Sequence, residues 1–155
     1  MQLPAFYRCG SGVLPIARST QRIALAWRSQ SVRMGNCWGT IGGLNEDGIP
    51  PDENAAKELR EETGYGGEID LRLLSVFSGY RFRYYNFAGI VASEFALELT
   101  SDSAWENDRL CWFEFTEILR LLRVRPKTFH FGVVELFQYA SAAIGRIVAE
   151  IPGEK

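Results

Sequence analysis

Two observations place this chain in the α/β class, as a mixed sheet with helices on both faces. Apolar runs of strand length stand on both sides of one early helix. A second long run with helical spacing closes the chain, and no linker, repeat or low-complexity tract divides it. A sheet covered by helices is the arrangement that buries the apolar side of each. A single domain over residues 1–155 is expected, large enough to bury roughly two-thirds of its unfolded surface.

The elements follow in order. "CGSGVLPIA" and "RIALAWRS" read as strands separated by the turn "RSTQ". After the polar "SQSVRMGN", "CWGTIGG" is a short strand that ends in the paired glycines Gly42 and Gly43. "LNEDGIPPD" is dense in turn residues and leads into a helix from about Asp52 to Thr63. Pro50 and Pro51 suit its entry, Asp52 and Glu53 complement its N-terminal dipole, and Gly64 is placed to cap its C-terminus. Ala55, Ala56, Leu59 and Thr63 form its expected core face.

Further on, "EIDLRLLSVFS", "YRFRYYNFAGIVAS" and "EFALELT" have strand character. "RLCWFEF" is one more strand, and "TEILRLL" a short helix with Thr116 as its N-cap. The last helix runs through "FGVVELFQYASAAIGRIVA". Its Val133, Leu136, Phe137, Ala140, Ile144, Ile147 and Val148 recur at helical spacing.

Composition excludes several function classes. Hydrophobic residues are 46% and charged residues 23%, ordinary for a folded globular domain. A net charge of −2 gives no basic field for a nucleic-acid backbone, so no nucleic-acid partner is expected. The one basic run, "LRLLRVRPK", reads as a solvated helix end. Cys9, Cys37 and Cys111 are odd in number and widely spaced, which fits reduced thiols better than disulfides or a zinc site. His130 is the only histidine and reads as a packed or capping residue. No uncharged run approaches the ~18 apolar residues of a membrane span, and "MQLPAFYRCG" lacks the regions of a signal peptide. A soluble, cytoplasmic protein without a membrane partner is expected, with the oligomeric state open and a homodimer included.

The unusual stretch is "KELREETGY", Lys57 to Tyr65. On a helix Glu58, Glu61 and Glu62 stand at i, i+3 and i+4, and like charges so close cost free energy. Taken alone, this would be a solvated helix face. Its context adds to it, because Gly42 and Gly43 let backbone carbonyls approach a ligand closely, and a loop returns the chain from them into the acidic helix. Strand, Gly-Gly, loop, acidic helix and Gly stop make a compact oxygen-donor site for a hard cation such as Mg²⁺.

Here the sequence resembles the Nudix hydrolases (MutT-like), whose box reads G-x5-E-x7-R-E-U-x-E-E-x-G-U with U apolar. Gly43, Glu58, Leu59, Glu61, Glu62, Gly64 and Tyr65 match at the right spacing. "CWGTIGG" and "AWENDRLCWFEFTEI" are similar to the family's flanking segments. Two positions depart from the box: Ile49 replaces the first glutamate and Lys57 the arginine, which loses a two-pronged donor but keeps the charge.

The resemblance implies a Nudix-type α/β/α sandwich and an Mg²⁺-dependent pyrophosphohydrolase, with Mn²⁺ an alternative metal. Its substrate would be a small nucleotide, a nucleoside diphosphate linked to another group. It implies Gly43, Glu58, Glu61, Glu62 and Glu106 as metal ligands, and Glu58, Glu61 and Lys57 as catalytic residues. Glu58 is either a ligand or the general base. Glu106 has a second reading as a surface glutamate in a polar turn, with Glu94 and Asp108 as substitutes.

Trp27, Arg28, Tyr80, Arg83 and Tyr84 are the substrate-binding candidates, in a set that includes Phe77, Arg81 and Tyr85. Aromatics stack on a base and arginines hold phosphates, while half-buried strands also alternate in this way. Family substrate markers are absent or partial, which leaves nucleoside triphosphates as the default. Ile49 and Lys57 motivate the alternative, a nucleotide-binding module with weakened catalysis.

Overall fold

A computed structural model describes residues 8–46, 48–98 and 104–151. Seven strands form a mixed sheet: β1 (Arg8–Ala17), β2 (Ile23–Arg28), β3 (Trp38–Gly39), β4 (Ile41–Leu44), β5 (Asp70–Gly79), β6 (Phe82–Val91) and β7 (Asn107–Phe113). The helices are α1 (Pro51–Thr63), α2 (Phe115–Val124) and α3 (Phe131–Glu150). The main path runs β3-β2-β1-β6-β5, with β4 also on β1 and β7 also on β2.

The central strand is β1. It pairs parallel with β6 from Arg8↔Phe82 to Ala17↔Val91. Its other edge is divided: Gly10 to Val13 pair with β4, while Ile16 pairs with Ile23 of β2. Both its faces are covered, which explains a nearly continuous apolar run where alternation would mark a half-exposed strand. Val13 points into a cluster with Ile41, Ala55, Leu59 and Phe87 under α1. Leu14 and Ile16 point the other way, into the larger core built on α2 and α3.

Residues 51–63 form α1 with no side-chain bond at its N-cap, Pro50, whose successor Pro51 holds the first helical position. Gly64 ends it in the left-handed region, at φ 75°, where its N–H donates to the Arg60 carbonyl. The buried face is Asn54, Ala55, Leu59, Glu62 and Thr63, so Ala56 is only half-buried and Glu62 takes a core position.

Three other expectations change. "CWGTIGG" is two strands, β3 and β4, paired to different neighbours. In "EFALELT", residues 94–98 are not a strand, and Leu99 and Thr100 lie outside the described residues. Side chains and a helix end hold that segment instead: Glu94 pairs with Arg22, the Phe95 carbonyl accepts from Trp112 Nε1, and Glu98 N–H donates to the Thr63 carbonyl. Thr116 lies inside α2, and the cap position is Glu114, which makes no side-chain cap bond.

His130 is the N-cap of α3, with Nδ1 accepting from the Gly132 N–H at 3.0 Å. By length and composition alone α3 is long and apolar enough to cross a membrane. Its stripe from Val133 to Ile147 is instead the core cover. Cys9, Cys37 and Cys111 are free thiols.

Candidate active site

The Gly-Gly end of β4 brings the backbone against α1. A Cβ at Gly43 would stand 2.9 Å from the Glu58 carboxyl carbon and 3.0 Å from both its oxygens. Only a glycine lets that carboxylate so close to the strand. Asn54, fully buried on α1, donates from Nδ2 to Ser11 Oγ at 2.9 Å and to the Gly43 carbonyl at 3.3 Å. The helix is thereby fixed to the strand at the glycine.

The three box glutamates are not equivalent. Glu61 is exposed, 3.7 Å from Lys57 Nζ. Glu58 is half-buried, and burial, followed by the charge of Glu61, holds its carboxyl above the ordinary range. Glu62 is 3% exposed, and its Oε2 has no hydrogen-bond partner among the described residues. Burial first, then the adjoining Glu106 carboxyl and Glu58, push Glu62 up to about 10, against a lowering contact from the Gly42 backbone. The Glu106 carboxyl comes from a single 3-10 turn, Ala104–Glu106, whose end is fixed by the Ser29 N–H donating to the Glu106 carbonyl.

Glu62, Glu58 and Glu106 therefore interact, and one of these buried oxygens lacks a donor. Carboxylate oxygens are the donor type that a hard cation takes, keeping part of its water. Among the described residues, however, no group of three or more His, Cys, Asp or Glu side chains is placed to hold a metal ion as the side chains stand.

Lys57 takes a partner outside the box. Its Nζ is 2.6 Å from Glu46 Oε1, and this bond is the main cause of its raised pKa. Where the resemblance places a glutamate at Ile49, the carboxylate for Lys57 is supplied by Glu46 in the same loop. That pairing, like the role of Asn54, is absent from the sequence reading.

On the opposite face of the sheet lies a cleft of about 560 Å³. Its strand side is formed by Thr40, Gly42, Gly43, Val76, Phe77, Phe82, Tyr84 and Asn86, and its helix side by His130, Phe131, Glu135, Leu136 and Tyr139. Gly42 and Gly43 thus adjoin both the cleft and the carboxylates. The ring of Tyr84 lies on a glycine floor: a Cβ at Gly10 would fall 2.8 Å from the ring, one at Gly12 would fall 2.6 Å from the hydroxyl, and one at Gly42 would meet the same hydroxyl. Burial raises the Tyr84 phenol well above its usual range, so it stays protonated.

Of the substrate-binding candidates, Arg28 and Tyr84 line the cleft, as does Phe77. Arg28 is anchored by donating to the carbonyls of Met34 and Arg33, at 3.0 Å and 2.8 Å. Trp27 packs edge-on against Trp38 with Arg109 over its ring. Tyr80 is 88% exposed beside Arg81, and Arg83 lies near Cys9; neither lines the cleft. Glu94 is engaged with Arg22 and Thr20, and Asp108 is exposed on β7. The cleft contribution of Asn86 and Glu135 had no sequence signal, because β6 and α3 meet only in the fold.

Fold and site together define an α/β/α sandwich in which an acidic helix lies under a Gly-Gly strand. The chain belongs to the Nudix family: the model of the NUDIX domain matches residues 7–133. Members of this hydrolase family generally use divalent cations and act on small nucleotide-type substrates. Among solved structures, the fold is similar to a NUDIX hydrolase from Nitrosomonas europaea, at 15% identity and a TM-score of 0.65 over 88% of this chain and 90% of that one. It is also similar to a Nudix hydrolase from M. Smegmatis, at 17% and 0.67 over 94% and 88%. A mutT/nudix family protein from Listeria innocua shares 22%, with 0.62 over 96% and 99%. No curated protein matches the sequence.

Proposed function

We propose that this chain is an Mg²⁺-dependent pyrophosphohydrolase, with Mn²⁺ able to substitute, acting on a nucleoside diphosphate linked to another group. Nucleoside triphosphates fall in that class. The supporting observation is the Gly42–Gly43 backbone, which adjoins both the interacting carboxylates and an aromatic cleft. Glu58, Glu62, Glu106 and the Gly43 carbonyl would hold the cation, with Glu61 at the exposed rim. When bound, the cation supplies charge neutralisation on phosphate oxygens and a more acidic water.

The chain's own residues do the rest. Glu58, which stands above the usual carboxylate range, would take the proton of the attacking water through whichever oxygen it does not lend to the cation, or leave that proton to another group if it serves as a ligand only. The new P–O bond forms from that water as the bridging P–O bond breaks, giving a nucleoside monophosphate and phosphorylated leaving group. Arg28 offers positive charge in the cleft for a phosphate, while Phe77, Phe82 and Tyr84 exclude water around the base. The free thiols support a reducing, cytoplasmic setting.

The test is release of phosphate or pyrophosphate from a panel of nucleotides with Mg²⁺, Mn²⁺ or chelator. Turnover that the chelator abolishes is expected. Silence across the panel, from folded protein that still binds metal, contradicts it. The second reading, a binding module with weakened catalysis, is favoured by Ile49 and by the attachment of Lys57 to Glu46. Glu61→Gln with Glu62→Gln separates the two: an enzyme loses turnover and keeps its fold, whereas a binder has none to lose.

A further inference from the structure

In α3, Phe131, Glu135 and Tyr139 succeed one another at intervals of four and form one row along the helix, at the rim that the cleft shares with a second hollow beside Met34, Lys127 and Val134. The two aromatics are unusually open, 58% and 71% exposed, and Glu135 between them is half-buried. Among the described residues no cation or hydrogen-bond donor pairs with the Glu135 carboxylate. Across the cleft stand Phe77 and Asn86, whose side-chain amide makes, among the described residues, only a long 3.4 Å contact from Nδ2 to Ser75 Oγ.

Rings flanking an unpaired carboxylate suit a flat heterocycle that stacks on the aromatics and donates N–H to the oxygens. A phosphate would be repelled there and belongs towards Arg28 and the Gly42–Gly43 strand. Substrate polarity follows, with the base at α3 and the phosphates at β4.

The carboxylate also discriminates between bases. It has two acceptor oxygens and no donor. Guanine presents adjacent N1–H and exocyclic N2–H donors that match both oxygens. Adenine and cytosine place a ring acceptor beside their amino group, and uracil and thymine flank a single N–H with carbonyls. Each of those patterns sets a lone pair against a carboxylate oxygen.

We propose that Glu135 is the specificity residue of this cleft and selects guanine nucleotides. The inference rests on the nucleotide reading given above, but its test does not need turnover.

Binding of GMP, IMP, AMP, CMP and UMP is measured by calorimetry on the wild-type protein and on Glu135→Gln. GMP should bind tightest, with IMP, which lacks the exocyclic amine, weaker by roughly 10-fold. Glu135→Gln replaces one acceptor with a donor and so becomes complementary to adenine. GMP affinity should fall roughly 10-fold while AMP affinity rises. A merely structural role for Glu135 would weaken all five alike or none. Equal binding of all five to the wild type, or an unchanged order in the variant, overturns the proposal. Selective GMP binding without hydrolysis of any nucleotide would sink the enzyme reading and leave this one standing; metal-dependent hydrolysis indifferent to the base would do the reverse.

Discussion

The two faces of the sheet use the same strands for opposite purposes. On the α1 face, β4 and the helix are packed so closely that a carboxylate rests against a glycine and another is buried with an oxygen unpartnered. On the α3 face the same strand end borders an open cleft with exposed aromatics at its rim. The first face concentrates charge at a structural cost, and the second supplies shape and apolar surface. Gly42 and Gly43 are the seam between them. The difference teaches that the proposed function would separate chemistry and recognition across a sheet one backbone thick.

The largest effect is expected on the charged face. Glu62→Gln should reduce metal-dependent turnover by at least about 100-fold, since a liganding oxygen is worth several kcal/mol in the transition state. The same change should raise the melting temperature of metal-free protein by a few degrees near neutral pH, because a carboxamide is neutral already and spares the folded state the uptake of the proton that burial forces on Glu62. Calorimetry alongside the rate assay checks both halves; a fall in activity with a fall in stability would make Glu62 a packing residue only.

The seam comes next. An alanine at position 42 drives its Cβ into the Tyr84 hydroxyl and the Ser11 backbone carbonyl, and should cost about 1–3 kcal/mol of stability as overpacking does. Gly43→Ala meets only the end of Glu58, which can move, so its cost in stability should be smaller while its cost in rate is larger. Denaturant midpoints and initial rates of the two variants, compared, show whether the seam divides as described.

These contrasts also mark what was legible in the sequence. The acidic helix, its glycine stop and the Gly-Gly strand stood out because the spacing within Gly43–Tyr65 is local. That Glu62 would be buried did not, because on a helix of about 100° per residue it falls between Glu58 and Leu59, at the border of the acidic and apolar faces. Residues 94–98 read as strand by composition, but Glu94 and Phe95 are held by Arg22 and by Trp112, both distant in sequence. The cleft was illegible for the same reason. Arg28, Tyr84, Asn86 and Glu135 meet only when β2, β6 and α3 are assembled, and a polar residue on a helix carries no sign of the cavity it will face.

A smaller effect should come from pH on the cleft face. Burial, aided by Arg28, lowers the His130 pKa below its ordinary 6.5, and its Nδ1 must stay unprotonated to accept from Gly132. The stability this cap provides is complete above pH 6.5 and is lost as pH falls through the lower folded value, by less than about 1 kcal/mol. His130→Asn, which keeps a capping oxygen, should flatten that part of the stability–pH curve. The smallest effect is expected from Lys57→Arg, which can keep its pairing to Glu46 and should leave the rate unchanged or raise it. A large fall would give the lysine a role of its own.

The division of labour is tested most directly by a crystal structure with Mn²⁺ and a non-hydrolysable nucleotide. The account predicts an anomalous Mn²⁺ peak among Glu58, Glu62, Glu106 and the Gly43 carbonyl, with the base on the other side of β4 against α3. A metal bound elsewhere, or a base lying on the α1 face with the cleft empty, would contradict it.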